Sequence, residues 1–438
     1  MKRIYLDHAA TTPVDPRVKE VMLPFLECVF GNPSALYRDG RVVKEAVKSA
    51  RESIAKILHC TSEEIIFTGS GTESDALAML GVMKKNQIRK KDGSLKKGHL
   101  VTTTFEHHAV LYNAERLEKE GYEVTYVRVN KEGLANPKDV RDAIRPDTVL
   151  VSVMYANNEI GTIQPIHEIG QIIKDIRKKR RESGDPNPIW FHTDACQASA
   201  YLNLDVQKLG VDLMTINGSK IYGPKGIGLL FVRRGVKLEA LYEGGGQENK
   251  LRSGTEHIAG IVGLGEALKL VQEHKEQENR RLTELRDYFI KGLFERVPKI
   301  VLNGHPVKRL PNNVNISILD IEGEAMLLYL DKYGIEASTG SACDSATLDP
   351  SHVILALGKP YEFAHASMRF TMGHSTTRED LDIALKTLPG IVEILRKISP
   401  VHLDLDATQM STAAAFAGEG FPHWEAKRGS KLKLRSKQ

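Results

Sequence analysis

The chain has four cysteines in 438 residues, Cys28, Cys60, Cys196 and Cys343, and they form no CxxC pair. This spacing argues against a zinc site and against a disulfide framework. It fits a reducing compartment in which one free thiol stays reactive. No stretch approaches the roughly 18 consecutive apolar residues of a membrane span. The opening residues Met1-Lys2-Arg3-Ile4-Tyr5-Leu6-Asp7 carry no long apolar core and no signal-peptide cleavage pattern, so a cytoplasmic protein with no membrane partner is expected. Internal repeats are also missing.

Excess charge is lacking once its source is found. The formal net charge is +5, but the last twelve residues, Lys427 to Gln438, hold six basic residues and no acidic one. Without them the chain comes to about −1. The body therefore has no global electrostatic reason to bind nucleic acid. The clusters Arg89-Lys90-Lys91 and Arg177-Lys178-Lys179-Arg180-Arg181 read as solvated helix ends and loops. A hydrophobic content of 41% and a charged content of 27% are ordinary for a globular protein. The length allows two or three domains and a large core.

What is present is an alternation. Strands are predicted at Ile65–Thr68, Leu100–Thr104, Val124–Val129, Val149–Met154, Ile189–Thr193, Leu213–Ile216 and Leu229–Val232. Helices are predicted at Ser74–Lys85, His107–Glu120 and His167–Lys179. Such alternation implies an α/β fold with a mainly parallel sheet covered on both faces. A long helical pattern begins near Gly260 and continues through Glu273–Arg296, leading into a smaller α+β domain. Asp92–Gly98 and Gly184–Pro188 read as polar surface insertions. After Pro400 the pattern loosens into a basic, mobile tail.

Ligands of open α/β sheets bind at the carboxyl ends of the strands. Thr72, His107, Asn157, Asp194 and Lys220 all stand just after a predicted strand. Thr68-Gly69-Ser70-Gly71-Thr72-Glu73 passes from strand to helix, where backbone N–H groups and the helix dipole favour an anion. Lys220 lies in Asn217-Gly218-Ser219-Lys220-Ile221-Tyr222-Gly223-Pro224, a glycine-rich loop between two apolar runs. Burial disfavours a charged amine, and a neutral lysine amine forms a Schiff base with an aldehyde. Paired with an acid such as Asp194 for a pyridinium nitrogen, this is what pyridoxal phosphate requires. The pair His107-His108, in Glu106-His107-His108-Ala109, could suggest a metal, but no third ligand stands out, and no metal is expected.

These motifs resemble the cysteine desulfurase family, the pyridoxal-phosphate enzymes that take sulfur from L-cysteine. The resemblance runs from Tyr5-Leu6-Asp7 to about Leu395-Arg396. It implies the aminotransferase-like fold-type I: an N-terminal arm (1–15), a large cofactor-binding domain (16–262), a small α+β domain (263–400) and a variable tail (401–438). Lys220 then matches the Schiff-base lysine and Asp194 the pyridinium partner. Gly71 and Thr72 match the phosphate contacts. Gln197 and Asn157 match ring-oxygen contacts, and His107 the imidazole stacked on the ring. Asn217 and Ser219 flank the lysine in the cofactor loop. Thr255, in Arg252-Ser253-Gly254-Thr255, matches a residue that reaches the phosphate of a neighbouring subunit, which implies a homodimer. Arg369, in Ser367-Met368-Arg369-Phe370-Thr371, matches the clamp on the substrate carboxylate, and Asn32 lies in a motif near the substrate.

Cys343, in Ser338-Thr339-Gly340-Ser341-Ala342-Cys343-Asp344-Ser345, stands in a small, polar segment with little to pack against. It resembles the persulfide-bearing loop of the long-loop class. The other three cysteines read as structural. The implied reaction gives L-alanine and a persulfide on Cys343, passed to an acceptor such as an iron–sulfur scaffold or a tRNA-thiolation carrier. A selenocysteine lyase would share nearly every residue. An aminotransferase would not need Cys343, and an inactive sulfur-transfer scaffold remains a reading from another class. Two positions depart from the family. Ser219 replaces an imidazole, and losing such a charge-assisted contact costs on the order of 1–3 kcal/mol of cofactor binding. Tyr37 stands where histidine is common.

Overall fold

The computed structural model describes residues 2–89, 93–339, 350–400 and 403. Cys343 with most of its segment, Lys90, Lys91 and nearly all of the tail lie outside the described residues. The chain opens with β1 (Ile4–Tyr5), α1 (Pro16–Glu27) and α2 (Arg38–Leu58). There follow β2 (Ile65–Thr68), α3 (Gly71–Lys85), β3 (Ile88–Arg89), β4 (Leu95–Lys96), β5 (His99–Thr103) and α4 (His108–Lys119). Next come β6 (Glu123–Val127), α5 (Pro137–Ala143), β7 (Thr148–Ser152), α6 (Ile166–Glu182), β8 (Trp190–Asp194) and α7 (Val206–Leu209). β9 (Leu213–Asn217) and β10 (Gly228–Val232) precede the long helices α8 (Ile258–Glu273) and α9 (Lys275–Arg296). The last part holds β11 (Ile300–Leu302), β12 (Asn313–Ile318), α10 (Gly323–Lys332), β13 (Ile335–Glu336), α11 (His352–Ala356), α12 (Tyr361–His365), β14 (Ser367–Thr371) and α13 (Arg378–Ile398).

The main sheet has the order β2-β10-β9-β8-β7-β5-β6, with β10 antiparallel to both neighbours and the other pairs parallel. Its central strands are buried along their whole length in β5 and β7. Burial on both faces explains why they read as near-continuous apolar runs rather than as alternating ones. The second sheet, β11-β12-β14, is antiparallel.

The first fifteen residues link the two sheets. β1 pairs with β13, and Asp7 bridges to Thr371 at the end of β14. Further on, Thr12 donates its N–H to Ser219 O at 2.9 Å and Asp15 donates to Tyr222 O at 2.9 Å. One extended segment therefore runs from the small sheet to the Lys220 loop.

Three details differ from the sequence expectation. The long helical pattern is broken at His274, which caps both α8 and α9 in a non-helical conformation. The polar segment Asp92–Gly98 is not wholly an insertion, because β4 within it pairs with β3. Helices α1 and α2 were not expected, and both pack on α8.

Phe370, on β14 beside Arg369, meets Phe289 of α9 edge-on at 5.4 Å, and both rings are fully buried. Phe370→Ala removes the ring and leaves a cavity. It is expected to cost about 3–5 kcal/mol, read as a lower midpoint of urea unfolding. A midpoint equal to wild type would show that the packing of α9 on the small sheet does not depend on this contact.

Candidate active site

Strand ends build the site. After β2, Ser70 caps α3 by accepting the Glu73 N–H on Oγ at 3.1 Å. Glu73 Oε2 in turn accepts the Gly69 N–H at 2.7 Å. The amides of Gly71 and Thr72 open the helix, where N–H groups have no intrahelical partner and attract an anion. Gly71 is packed so closely that a Cβ there would lie 2.8 Å from Cys196 Sγ and 3.2 Å from Asn217 Cβ. Thus the turn after β2, the turn after β8 and the end of β9 touch one another.

Asp194 ends β8 and is almost fully buried, and its Oδ1 accepts the Cys196 N–H at 2.9 Å. After β9, Asn217 Oδ1 accepts both the N–H and the hydroxyl of Ser219 at 3.2 Å. This closes a short turn that ends at Lys220. Lys220 Nζ donates to Ala9 O at 3.0 Å and to Ala10 O at 2.5 Å. Gln197 Nε2 donates to the same Ala9 carbonyl at 2.9 Å. Gln197 and Lys220 therefore converge on one atom.

His107 caps α4, and its Nδ1 accepts the Ala109 N–H at 3.1 Å. That contact leaves the proton of the neutral ring on Nε2. Burial holds the His107 imidazole below its ordinary value, against the opposing charge of Asp194. Arg369 reaches the same region, donating to Asn158 O at 3.1 Å and pairing with Asp7 at 2.9 Å. Its Nε is buried with no hydrogen-bond partner among the described residues. An orphaned buried guanidinium N–H is costly, and a substrate carboxylate would satisfy it.

Other expected residues stand apart or are committed elsewhere. Asn157 is fully buried; it accepts the Glu159 and Ile160 amides and donates to Phe105 O, so its carboxamide organises the turn. Asn32 is exposed, and its Oδ1 accepts the Ser34 N–H in a local turn. Thr255 is exposed on this chain, as is Tyr37. Among the other cysteines, burial pushes the Cys60 thiol up to about 12 and the Cys196 thiol well above its usual value. Cys28 departs from the structural reading, because it is exposed at the end of α1. Among the described residues no cluster of three or more His, Cys, Asp or Glu is placed for a metal, and no helix is long and apolar enough to cross a membrane.

The donor set suits one cofactor chemistry. The start of α3 and Ser219 can hold a phosphate, Asp194 a ring nitrogen, and Lys220 an aldehyde.

Residues 4–384 match the aminotransferase class-V family. A cysteine desulfurase IscS from Dictyoglomus turgidum is 48% identical over 401 residues, covering 91% of this chain and 97% of that protein. A cysteine desulfurase IscS 1 from Archaeoglobus fulgidus is 43% identical over 398 residues, covering 91% of this chain and 99% of that protein. Among solved structures, a NifS-like protein superposes with a TM-score of 0.81 at 32% identity, over 90% of this chain and all 100% of the other. A structure described as SspA in complex with cysteine gives a TM-score of 0.72 at 35% identity, over 85% of this chain and 99% of the other.

Glu106, beside His107, was not singled out by sequence. It is fully buried, accepting the Thr103 hydroxyl at 2.5 Å and the Met154 N–H at 3.0 Å. Burial raises its carboxyl to about 8, against those two hydrogen bonds. Between the unfolded value near 4.5 and about 8, the folded protein holds a proton that the unfolded chain has lost. Its contribution is fully present below the lower value and is lost as pH rises through the upper one. Glu106→Gln is expected to remove that slope, about 1.4 kcal/mol per pH unit at most. Urea midpoints between pH 5 and 8, about the range in which the group titrates differently, test this. A wild-type advantage that does not shrink with rising pH would refute it.

Proposed function

The chain belongs to the aminotransferase class-V family and is a cysteine desulfurase dependent on pyridoxal phosphate, and from that premise we propose how its residues divide the work. The observation that carries the assignment is the meeting of Lys220, Asp194 and the start of α3 at neighbouring strand ends. When bound, the cofactor supplies an electron sink that weakens the bonds at the substrate α-carbon.

Lys220 would hold the cofactor aldehyde, and its free Nζ would move the α-proton of the substrate. Asp194 faces the ring nitrogen. Gly71, Thr72 and Ser219 bind the phosphate, with Asn217 shaping the turn and the partner's Thr255 completing the cradle in a homodimer. Gln197 would orient the ring oxygen, with Asn157 organising the turn beside it. His107 would hold the cofactor ring, its neutral imidazole able to take a proton. Arg369 clamps the carboxylate of L-cysteine, and Asn32 lines the approach.

Cys343 is the sulfur carrier. Its thiolate bonds to the substrate sulfur as the Cβ–S bond of L-cysteine breaks. The electron pair of that bond stays on the carbon skeleton, which takes up a proton and leaves as L-alanine. The persulfide then passes to an acceptor thiol, on an iron–sulfur scaffold or a tRNA-thiolation carrier, in the cytoplasm. The division of labour follows the proposed domains: residues 16–262 bind the cofactor, and residues 263–400 carry Arg369 and Cys343.

The test is the alanine and sulfide formed from L-cysteine by the holoenzyme with a thiol reductant. Equal amounts of both are expected. Cys343→Ser should keep the cofactor absorption band yet lose turnover by about 100-fold or more. Lys220→Ala should lose both the band and turnover. Turnover retained in Cys343→Ser would remove the carrier role, and a persisting reducible band in Lys220→Ala would move the cofactor to another lysine.

A further inference from the structure

Behind Asp194 a polar line crosses the interface between α3 and the sheet. Ser152 on β7 lies beside His192 on β8, with Ser152 Oγ 2.9 Å from His192 Nδ1. His192 Nε2 is 3.1 Å from Thr215 Oγ1 on β9, and Thr215 is the register partner of Asp194. His192 and Asp194 are two residues apart on one strand and so face the same side.

α3 covers this region, packing on β7, β9 and β10. Asp75, one turn into that helix, is 1% exposed. The nearby Thr215 hydroxyl favours its charged form, and its Oδ1 lies 3.6 Å from His192 Nε2. That oxygen has no hydrogen-bond partner among the described residues. Three buried polar side chains and an acid at one interface are stable only as a satisfied network.

The charges decide what form that network takes. Asp194 and Glu106 are the acids that act on Asp75, and His192 is the nearest base. Burial, opposed by Asp194, lowers the His192 imidazole to about 4, so it offers no cation at neutral pH. Burial first, then the charge of Asp194, pushes the Asp75 carboxyl well up. Asp194 has a backbone N–H donor from Cys196, whereas Asp75 faces only the Thr215 hydroxyl and its Oδ1 has no partner among the described residues. Of two carboxyl groups sharing a dry site, the one with the donors carries the charge.

We propose that Asp75 is a positioning residue for Asp194: held as a neutral acid against Thr215 and His192, it completes the line from Ser152 and leaves the single negative charge on Asp194. The proposal rests on the assignment of Asp194 to the cofactor ring nitrogen. It also ties two functions to one helix. The first turn of α3 meets the phosphate, and the next turn sets the charge facing the ring.

The experiment compares Asp75→Asn and Asp75→Ala as purified holoenzymes. The readouts are the pH midpoint of the cofactor absorption band and the dissociation constant of pyridoxal phosphate by fluorescence. Asparagine has the shape and neutrality of the protonated acid and should keep both values near wild type. Alanine should move the midpoint by about one pH unit and weaken cofactor binding about tenfold. An Asn variant displaced as far as the Ala variant would overturn the neutral-acid assignment. An Ala variant with both readouts unchanged would overturn the positioning role. If Asp75→Ala does not fold, Thr215→Val interrupts the same line and should shift the midpoint, and an unshifted midpoint there counts against the proposal. A wild-type protein with no Lys220-dependent band would instead defeat the functional assignment beneath it, a result the wild-type spectrum separates from the others.

Discussion

The whole site depends on one close approach. The start of α3 sits against the turn after β8 and the end of β9, and it can do so because Gly71 has no side chain. A methyl group there would meet Cys196 Sγ at 2.8 Å and Asn217 Cβ at 3.2 Å. Contacts that short force displacement in a close-packed interior. Moving α3 outward would carry its free amides away from Ser219, and Asp75 away from Thr215 and His192. The start of α3, the turn after Asp194 and the end of β9 thus share one steric condition at Gly71.

The second constraint comes from the chain's first residues. Ala9 offers one carbonyl to both Lys220 and Gln197, and Asp7 holds Arg369. The same segment is paired to β13, to β14 of the small sheet and to the Lys220 loop after β9. A lysine and an arginine from different parts of the chain are therefore positioned against one short stretch of backbone. Their separation does not depend on the packing of the two sheets alone.

Much of this was legible in the sequence, and the reasons are physical. Strands buried on both faces show as runs of Val, Ile, Leu and Phe, so β2, β5, β7, β8, β9 and β10 were located to within a residue or two. Candidate residues fell after those strands because parallel sheets present their ligand ends there. Helices α1 and α2 were missed. α1 carries an internal Pro24, and α2 is rich in Lys and Arg on the face it turns to solvent. The break at His274 left no signal, because helix formers continue on both sides of it. Asp75, His192 and Glu106 were overlooked for another reason. Each is an ordinary residue in a helix, strand or turn; Glu106 and His192 lie close to His107 and Asp194 in sequence, but only the folded chain shows their burial and brings Asp75 to His192. A polar residue within a buried strand, such as His192 in Trp190-Phe191-His192-Thr193, was the one available clue.

The Arg369–Asp7 pair shows how such a site manages a buried charge without its substrate. A guanidinium 4% exposed is expensive unless paired. Asp7 and the Asn158 carbonyl satisfy two of its nitrogens and leave Nε open. The pairing fixes the planar fork in position before any ligand arrives, so little side-chain entropy is lost on binding. It also sets a limit on the ligand. One carboxylate finds an open N–H beside a balanced ion pair, whereas a second carboxylate in the same place would face Asp7. In the proposed role, Asp7 thus both aims Arg369 and restricts what it accepts to substrates with a single negative group at that end, as L-cysteine has.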